Sequence, residues 1–317
     1  MQTNNNRQWV VLGTGGTIAG TAARMSDHTG YSAGQLGVET LLAGVPGLQA
    51  QLQGDALVCE QVAQLDSKDM DPATWQLLAR RCRHWLDQPS TGGVVITHGT
   101  DTLEETAWFL QRVLATGKPV VLTCAMRPAT ALMPDGPQNL LDALTVVRDS
   151  LARGVLAVCA GRVHAAGEVQ KVHPYRLDAF SSGEAGPLAW VEQGRVRWAR
   201  QPPGPMPDAQ AAKALSVPVE DWPWVAVVHS HAGVEARMLE ALMAAGIQGL
   251  VVAGTGNGTL HASLMPALAK ARASGVALCL VSRCAEGQLV GEGQALASAP
   301  PGLNAFKARI SLLLDLL

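Results

Sequence analysis

Trp9-Val10-Val11-Leu12-Gly13-Thr14-Gly15-Gly16-Thr17-Ile18-Ala19-Gly20 is an apolar run that ends in a glycine turn carrying two threonines. A second stretch repeats the arrangement, with Val94-Val95-Ile96-Thr97 leading into His98-Gly99-Thr100-Asp101-Thr102. Short apolar runs bounded by turn signals read as buried strands. In an open parallel sheet, the turns after the strands' carboxyl ends gather along one edge. Thr17 and Thr100, about eighty positions apart in sequence, are therefore expected at one mouth as a pair of candidate nucleophiles.

Working outward, further apolar runs at 119–124 and 155–160 alternate with helix-like stretches near 101–115 and 137–152. That alternation predicts a parallel sheet with helices on both faces. Asp101 and Thr102 ahead of Glu104 and Glu105 form a helix start whose acidic first turn suits the helix dipole. Periodicity is lost between 194 and 223, where Pro202-Pro203-Gly204-Pro205-Met206-Pro207 is a breaker cluster. Strand-like runs at 224–229, 250–253 and 276–281 then alternate with helices near 234–245 and 263–274, and 304–317 reads as a final amphipathic helix. The expected fold is two-domain α/β: a larger N-terminal parallel-rich domain at 1–197 carrying the threonines, a linker at 198–222, and a smaller C-terminal α/β domain with a parallel sheet at 223–317.

The first glycine turn is not a dinucleotide fingerprint, because the sixth position from Gly13 is Ile18, and it lacks the Gly-Lys-Ser/Thr ending of a phosphate loop. What the glycines provide is close backbone approach. They leave Thr17 exposed beside N–H donors, which suits acyl transfer. A plain strand-to-helix turn fits the segment equally well. The 317 residues are 48% apolar and 16% charged, with a formal charge of −2. That balance gives no electrostatic footprint for nucleic acid or an anionic membrane. The low charge content is consistent with surface covered in an oligomer, or merely with an alanine-rich chain. The six cysteines form no Cys-x-x-Cys pair and read as buried free thiols. The polar start, Met1-Gln2-Thr3-Asn4-Asn5-Asn6-Arg7, leads directly into a strand without the apolar core of a signal peptide, and no stretch is long enough to span a membrane. The cytoplasm is the expected compartment.

Thr14-Gly15-Gly16-Thr17-Ile18-Ala19-Gly20, Ser67-Lys68-Asp69-Met70, Thr97-His98-Gly99-Thr100-Asp101-Thr102 with Glu104-Glu105-Thr106-Ala107, and Ala125-Met126-Arg127-Pro128 with Asp135-Gly136-Pro137-Gln138-Asn139-Leu140 together resemble the bacterial L-asparaginase family in content, order and spacing. Gly256-Asn257-Gly258 and Leu303-Asn304 with Lys307-Ala308-Arg309 carry the similarity nearly to the last residue.

The resemblance implies that Thr17 attacks the substrate, under a glycine-punctuated loop bearing Tyr31. It also implies a compact hydrogen-bonded triad of Thr100, Asp101 and Lys171. A nearby lysine lowers a hydroxyl pKa, and Asp101 both holds that lysine and receives the substrate ammonium. Ser67 is expected on the substrate α-carboxylate, Gly16 and Ala125 among the substrate contacts, and Asn257 as an organiser contributed by the adjoining subunit of a homotetramer built from intimate dimers. Three departures stand out. Lys68 occupies a position where glutamine or glutamate often helps receive the ammonium, so a cation pointing inward would repel substrate. Glu168 stands where arginine is frequent. The segment 285–293 is short, leaving Glu292, and after it Glu286, as nominees for the acid near Tyr31.

His229, Ser230 and His231 could suggest a metal site or a hydrolase triad, but two histidines lack a third ligand at recognisable spacing, and a structural role is the favoured reading. The family implies neither metal nor cofactor. The eight tryptophans fit core or interface packing. The expected activity is hydrolysis of L-asparagine to L-aspartate and ammonia through a β-aspartyl acyl-enzyme, with a broad-specificity glutaminase-asparaginase as the alternative. A non-catalytic amino-acid-binding paralogue is disfavoured, because a binder has no need of the whole set of catalytic groups.

Overall fold

The computed structural model describes residues 7–291 and 296–317. It contains thirteen strands and eight α-helices among those residues. The strands are β1 Gln8–Gly15, β2 Ala56–Leu65, β3 Thr91–Thr97, β4 Val120–Thr123, β5 Val155–Cys159, β6 Arg162–Ala165, β7 Gln170–Lys171, β8 Phe180–Ser181, β9 Ala189–Glu192, β10 Arg195–Trp198, β11 Val225–His229, β12 Gly249–Gly254 and β13 Ala277–Ser282. The helices are α1 Val38–Ala43, α2 Leu48–Leu52, α3 Pro72–Leu86, α4 Leu103–Val113, α5 Gly136–Arg148, α6 Arg237–Ala244, α7 Met265–Ala273 and α8 Ala305–Asp315. The chain divides into two compact units, Met1–Pro207 and Asp208–Leu317.

The first unit is built on one eight-stranded sheet in the order β10-β9-β6-β5-β4-β3-β1-β2. The five strands β2, β1, β3, β4 and β5 are parallel, and β6, β9 and β10 add an antiparallel edge. Helix α5 packs on β3, β4 and β5, while α3 lies against β2 and β3 and α4 against β5. Both faces of the central strands are thereby covered. That is why Val10, Val11, Leu12, Val94, Val95 and Ile96 form continuous apolar runs, each with no exposed surface. One face of this core gathers Trp9, Val11, Val95, Val121, Leu144 and Leu156.

The chain passes from β1 to β2 on one side of the sheet, then returns past β1 to β3 on the other. Strand order thus reverses between β1 and β3. In open α/β sheets the crevice outside the carboxyl ends at such a reversal is where ligands bind. The two threonine-bearing turns leave from these two strands. The second unit has its own parallel sheet, β11-β12-β13, with α8 packed on all three strands. Asn304 caps α8 by accepting from the Lys307 N–H at 3.0 Å.

The helix start expected at Asp101 and Thr102 is present, since α4 opens at Leu103 with Glu104 and Glu105 in its first turn. Its cap differs. Thr102 makes no side-chain cap bond, because its hydroxyl donates instead to the Ser67 carbonyl oxygen at 2.7 Å. The threonine is spent on joining two loops.

At the β1 turn, Gly15 and Gly16 have φ of +98° and +78°, a region that L side chains rarely enter. A Cβ on Gly16 would run into the backbone of Gly99. Gly16→Ala is therefore expected to lower stability by at least ~1–3 kcal/mol, the usual cost of such backbone strain, read as a fall in the urea midpoint at unchanged m-value. A midpoint equal to that of the unaltered protein would show that the two backbones are not in forced contact.

Candidate active site

Two hydrogen bonds lock the turns after β1 and β3 in place. The Gly16 N–H donates to the Leu65 carbonyl oxygen at 2.8 Å, tying the β1 turn to the end of β2. The Thr14 hydroxyl donates to the Thr97 carbonyl oxygen at 2.9 Å, tying it to the end of β3. Thr17 opens a single 3₁₀ turn, Thr17–Ala19, and is 6% exposed. Its Oγ1 lies 2.6 Å from the Tyr31 hydroxyl.

Tyr31 sits on a loop fastened back to the same turn. Gly34 N–H donates to Gly16, Gln35 and Leu36 both donate to Ala19, and Thr21 and Ser32 bridge each other. At Gly20, a Cβ would sit 2.8 Å from the Tyr31 ring, so its hydrogen makes room for the ring. Burial raises the Tyr31 hydroxyl above its ordinary pKa, the Thr17 bond partly offsets this, and the negative charges of Asp66 and Asp101 add to the rise. The phenol is neutral at neutral pH.

The second cluster forms at the β3 turn. Lys171, on β7, extends its ammonium to the Thr100 hydroxyl oxygen at 2.7 Å and to Asp101 Oδ1 at 2.6 Å. Its own backbone N–H donates to Glu104 Oε2 at 2.7 Å. From sequence, Glu104 is only part of the helix start and of the motif; its bond to Lys171 joins residues 67 positions apart. Ser67 is buried and its Oγ accepts the Asp101 N–H at 3.1 Å, which leaves its own O–H free to donate. Lys68 is exposed, its ammonium held by Asp69 and, at 3.8 Å, by Asp66, and the charge of Asp101 adds to the attraction.

Ala125 is buried against Ile18 and Ala19 beneath the β1 turn. The segment that carries it is pinned by Asp135, which accepts from the Met126 and Arg127 N–H groups at 2.9 Å each. Glu168 is consumed by a two-pronged ion pair with Arg200 at 2.9 and 2.5 Å, which accounts for an acid at that position. In the second unit, Asn257 clamps Val290 with two 2.8 Å bonds, donating to its carbonyl and accepting from its N–H. Glu286 is exposed, and Glu292 lies outside the described residues. Ser230 is buried, with its hydroxyl accepting from the His261 N–H and its carbonyl from Arg283, a structural use. Among the described residues, no group of three or more His, Cys, Asp or Glu is arranged to hold a metal ion, and no helix is long and apolar enough to cross a membrane.

Thr17 with Tyr31, and Thr100 with Asp101, Lys171 and Ser67, thus occupy adjoining turns joined through Gly16 against Gly99. Residues 9–204 match the family described as Asparaginase, N-terminal, and residues 224–316 the Glutaminase/Asparaginase C-terminal domain. The chain belongs to the asparaginase family. A Haemophilus influenzae protein named Probable L-asparaginase periplasmic is 36% identical over 96% of this chain and 87% of its own. The Glutaminase-asparaginase of Pseudomonas fluorescens biotype A is also 36% identical, over 89% of this chain and 76% of its own. The crystal structure of a Probable Cytoplasmic L-asparaginase from Campylobacter jejuni superposes with a TM-score of 0.87 at 33% identity, covering 98% of this chain and 95% of that one.

One element of this asparaginase-family site escaped the sequence reading. Trp75 Nε1 donates to the Thr106 hydroxyl and that hydroxyl lies on His98 Nε2, both at 2.9 Å, while His98 Nδ1 lies 2.7 Å from the Gly99 carbonyl oxygen. A carbonyl only accepts, so the proton is on Nδ1. The chain fixes the peptide just before Thr100. Burial drives the His98 pKa down from 6.5 to about 4, so the folded state holds His98 neutral where the unfolded chain protonates it. Stability from this group is full above about pH 6.5 and is lost as pH falls toward 4, with a slope of up to ~1.4 kcal/mol per pH unit in between. His98→Gln should flatten that part of the stability profile in urea titrations at pH 7, 6 and 5. An unchanged slope would mean that His98 is not the group responsible.

Proposed function

We propose that this chain hydrolyses the side-chain amide of L-asparagine to L-aspartate and ammonia, with Thr17 as nucleophile. The observation that carries the reading is the 2.6 Å contact between Thr17 Oγ1 and the Tyr31 hydroxyl, beside a lysine-bound second hydroxyl on Thr100. The names of the relatives support the substrate. In this scheme Thr17 attacks the amide carbon as its proton is relayed through the Tyr31 hydroxyl, which takes it while giving its own to the leaving nitrogen; ammonia departs, and water releases the β-aspartyl ester. Asp101 receives the substrate ammonium and the free O–H of Ser67 donates to the α-carboxylate. Backbone N–H groups around Thr17 and Thr100 face the developing oxyanion, the kind of preorganised donor that dominates acyl-transfer catalysis. No cofactor is required.

A broad-specificity glutaminase-asparaginase is the second reading, favoured by the name of the Pseudomonas relative; parallel steady-state assays with asparagine and glutamine separate the two. The structural neighbour's name supports the cytoplasm as compartment, while that of the Haemophilus relative points to the periplasm.

Thr17→Val is expected to remove ammonia release, a loss of roughly 4 kcal/mol or more in transition-state stabilisation, with circular dichroism unchanged. Lys171→Met should lower kcat strongly while KM moves little, since its interaction grows in the transition state. A folded Thr17→Val chain with normal turnover, or a Lys171→Met chain altered in KM alone, contradicts these roles.

We further propose a homotetramer of paired dimers in which Asn257 of one subunit completes the site of its neighbour. Mixed Thr17→Val and Asn257→Ala chains, each inactive alone, should then regain part of the activity after subunit exchange. Full activity in an isolated monomer rules the shared site out.

A further inference from the structure

Cys124 follows the last residue of β4, and Cys159 is the last residue of β5. These strands are parallel neighbours in which Thr123 pairs with Val158, so the next step along the register sets the two cysteines side by side. Their sulfurs are 3.1 Å apart, about 1 Å longer than the ~2.05 Å of a covalent S–S bond. Neighbouring strands lie ~4.7–4.9 Å apart, within the ~4.4–6.8 Å that a disulfide spans between Cα atoms. The backbone is already held at this spacing from both sides. Asn139 donates to the Cys124 carbonyl oxygen at 2.9 Å and accepts from the Ala160 N–H at 3.0 Å.

We propose that Cys124 and Cys159 are a modification site, closing into an intrachain disulfide that staples β4 to β5 directly behind Ala125. The co-reactant is a small-molecule disulfide. The thiolate of one cysteine attacks it, releasing one small thiol and leaving a mixed disulfide. The second cysteine's thiolate then displaces the other half. In sum, two protein thiols and one small disulfide become one protein disulfide and two small thiols.

The setting also says when this occurs. Cys124 and Cys159 are only 1% and 3% exposed. The Cys159 thiol alongside, with burial, holds the Cys124 thiol well above its ordinary pKa, so the attacking thiolate is scarce in the folded chain. The bond therefore forms while the strands are still open and is then sealed in. In a reducing compartment the pair stays as two thiols, and in an oxidising one it closes. This does not rest on the proposed activity, because nothing in it involves substrate.

The test is to refold the full chain from urea in glutathione buffers of rising oxidised-to-reduced ratio, alkylate under denaturing conditions, and map the peptides. Reduced protein should show all six thiols. Oxidatively refolded protein should show two fewer and a single cross-linked peptide joining Cys124 to Cys159. Its thermal midpoint should rise by several degrees, as expected for closing a loop of this length. In Cys159→Ser, neither the loss of thiols nor the rise should appear. Six thiols at every ratio, a cross-link through any other cysteine, or a rise that persists in Cys159→Ser overturns the proposal. The peptide map of the unaltered chain decides the matter even where a variant fails to fold.

Discussion

At the mouth of the larger sheet, two stretches of backbone approach more closely than any side chain would allow. Gly16, held at φ +78°, faces Gly99 where a Cβ would collide, and a Cβ on Gly99 would in turn run into Ser67. Three loops, following β1, β2 and β3, therefore meet where only glycine leaves room, Gly16 against the Gly99 backbone and Gly99 against the Ser67 side chain. Every group of the candidate site outside the second unit depends on this meeting. It brings Thr17 beside Thr100, lets Ser67 reach the Asp101 N–H, and frees Thr102 to bond Ser67 rather than cap its own helix. The sheet supplies the reason for the meeting at this point, since strand order reverses between β1 and β3 and a crevice opens there.

Much of this was legible beforehand because the central strands are buried on both faces. Burial of that kind writes continuous valine, leucine and isoleucine into the sequence, and the glycine turns mark where each run stops. The antiparallel edge was not legible. β6, β9 and β10 are four residues each, too short for a period-two pattern, and β2 is half-buried and polar enough to blur its alternation. Among site residues, threonines next to glycines announced themselves, whereas Glu104 and the Trp75–Thr106–His98 chain did not. Their roles rest on contacts between residues 8, 31 and 67 positions apart, and residue type alone does not encode such contacts.

The two lysines near the mouth are held differently. Lys68 is bound by Asp69 and Asp66 and stands in solvent, where pairing is worth little in stability. Lys171, by contrast, is mostly buried, with 18% of its side chain exposed, and spends its N–H groups on Thr100 and Asp101. The two lysines are close in kind and opposite in use. One belongs to the surface, and the other fixes the orientation of a hydroxyl.

The two hydroxyl pairs also differ in how easily a proton can move. Thr100 has a cation beside it, whereas Thr17 has a phenol whose pKa is raised by burial and by the carboxylates of Asp66 and Asp101. As a neutral phenol, Tyr31 is thus not itself a base for Thr17. On the proposed reaction, the substrate ammonium docks at Asp101 and offsets one of the charges that hold the Tyr31 pKa up. The phenol then gives up its own proton at lower cost as it takes that of Thr17, and does so with a substrate that carries that ammonium. An amide lacking it would leave Asp101 with its Lys171 ion pair alone and Tyr31 with its pKa still raised. Selection for an amino-acid amide and activation of the nucleophile would then be one electrostatic event, passing from Asp101 through Tyr31 to Thr17.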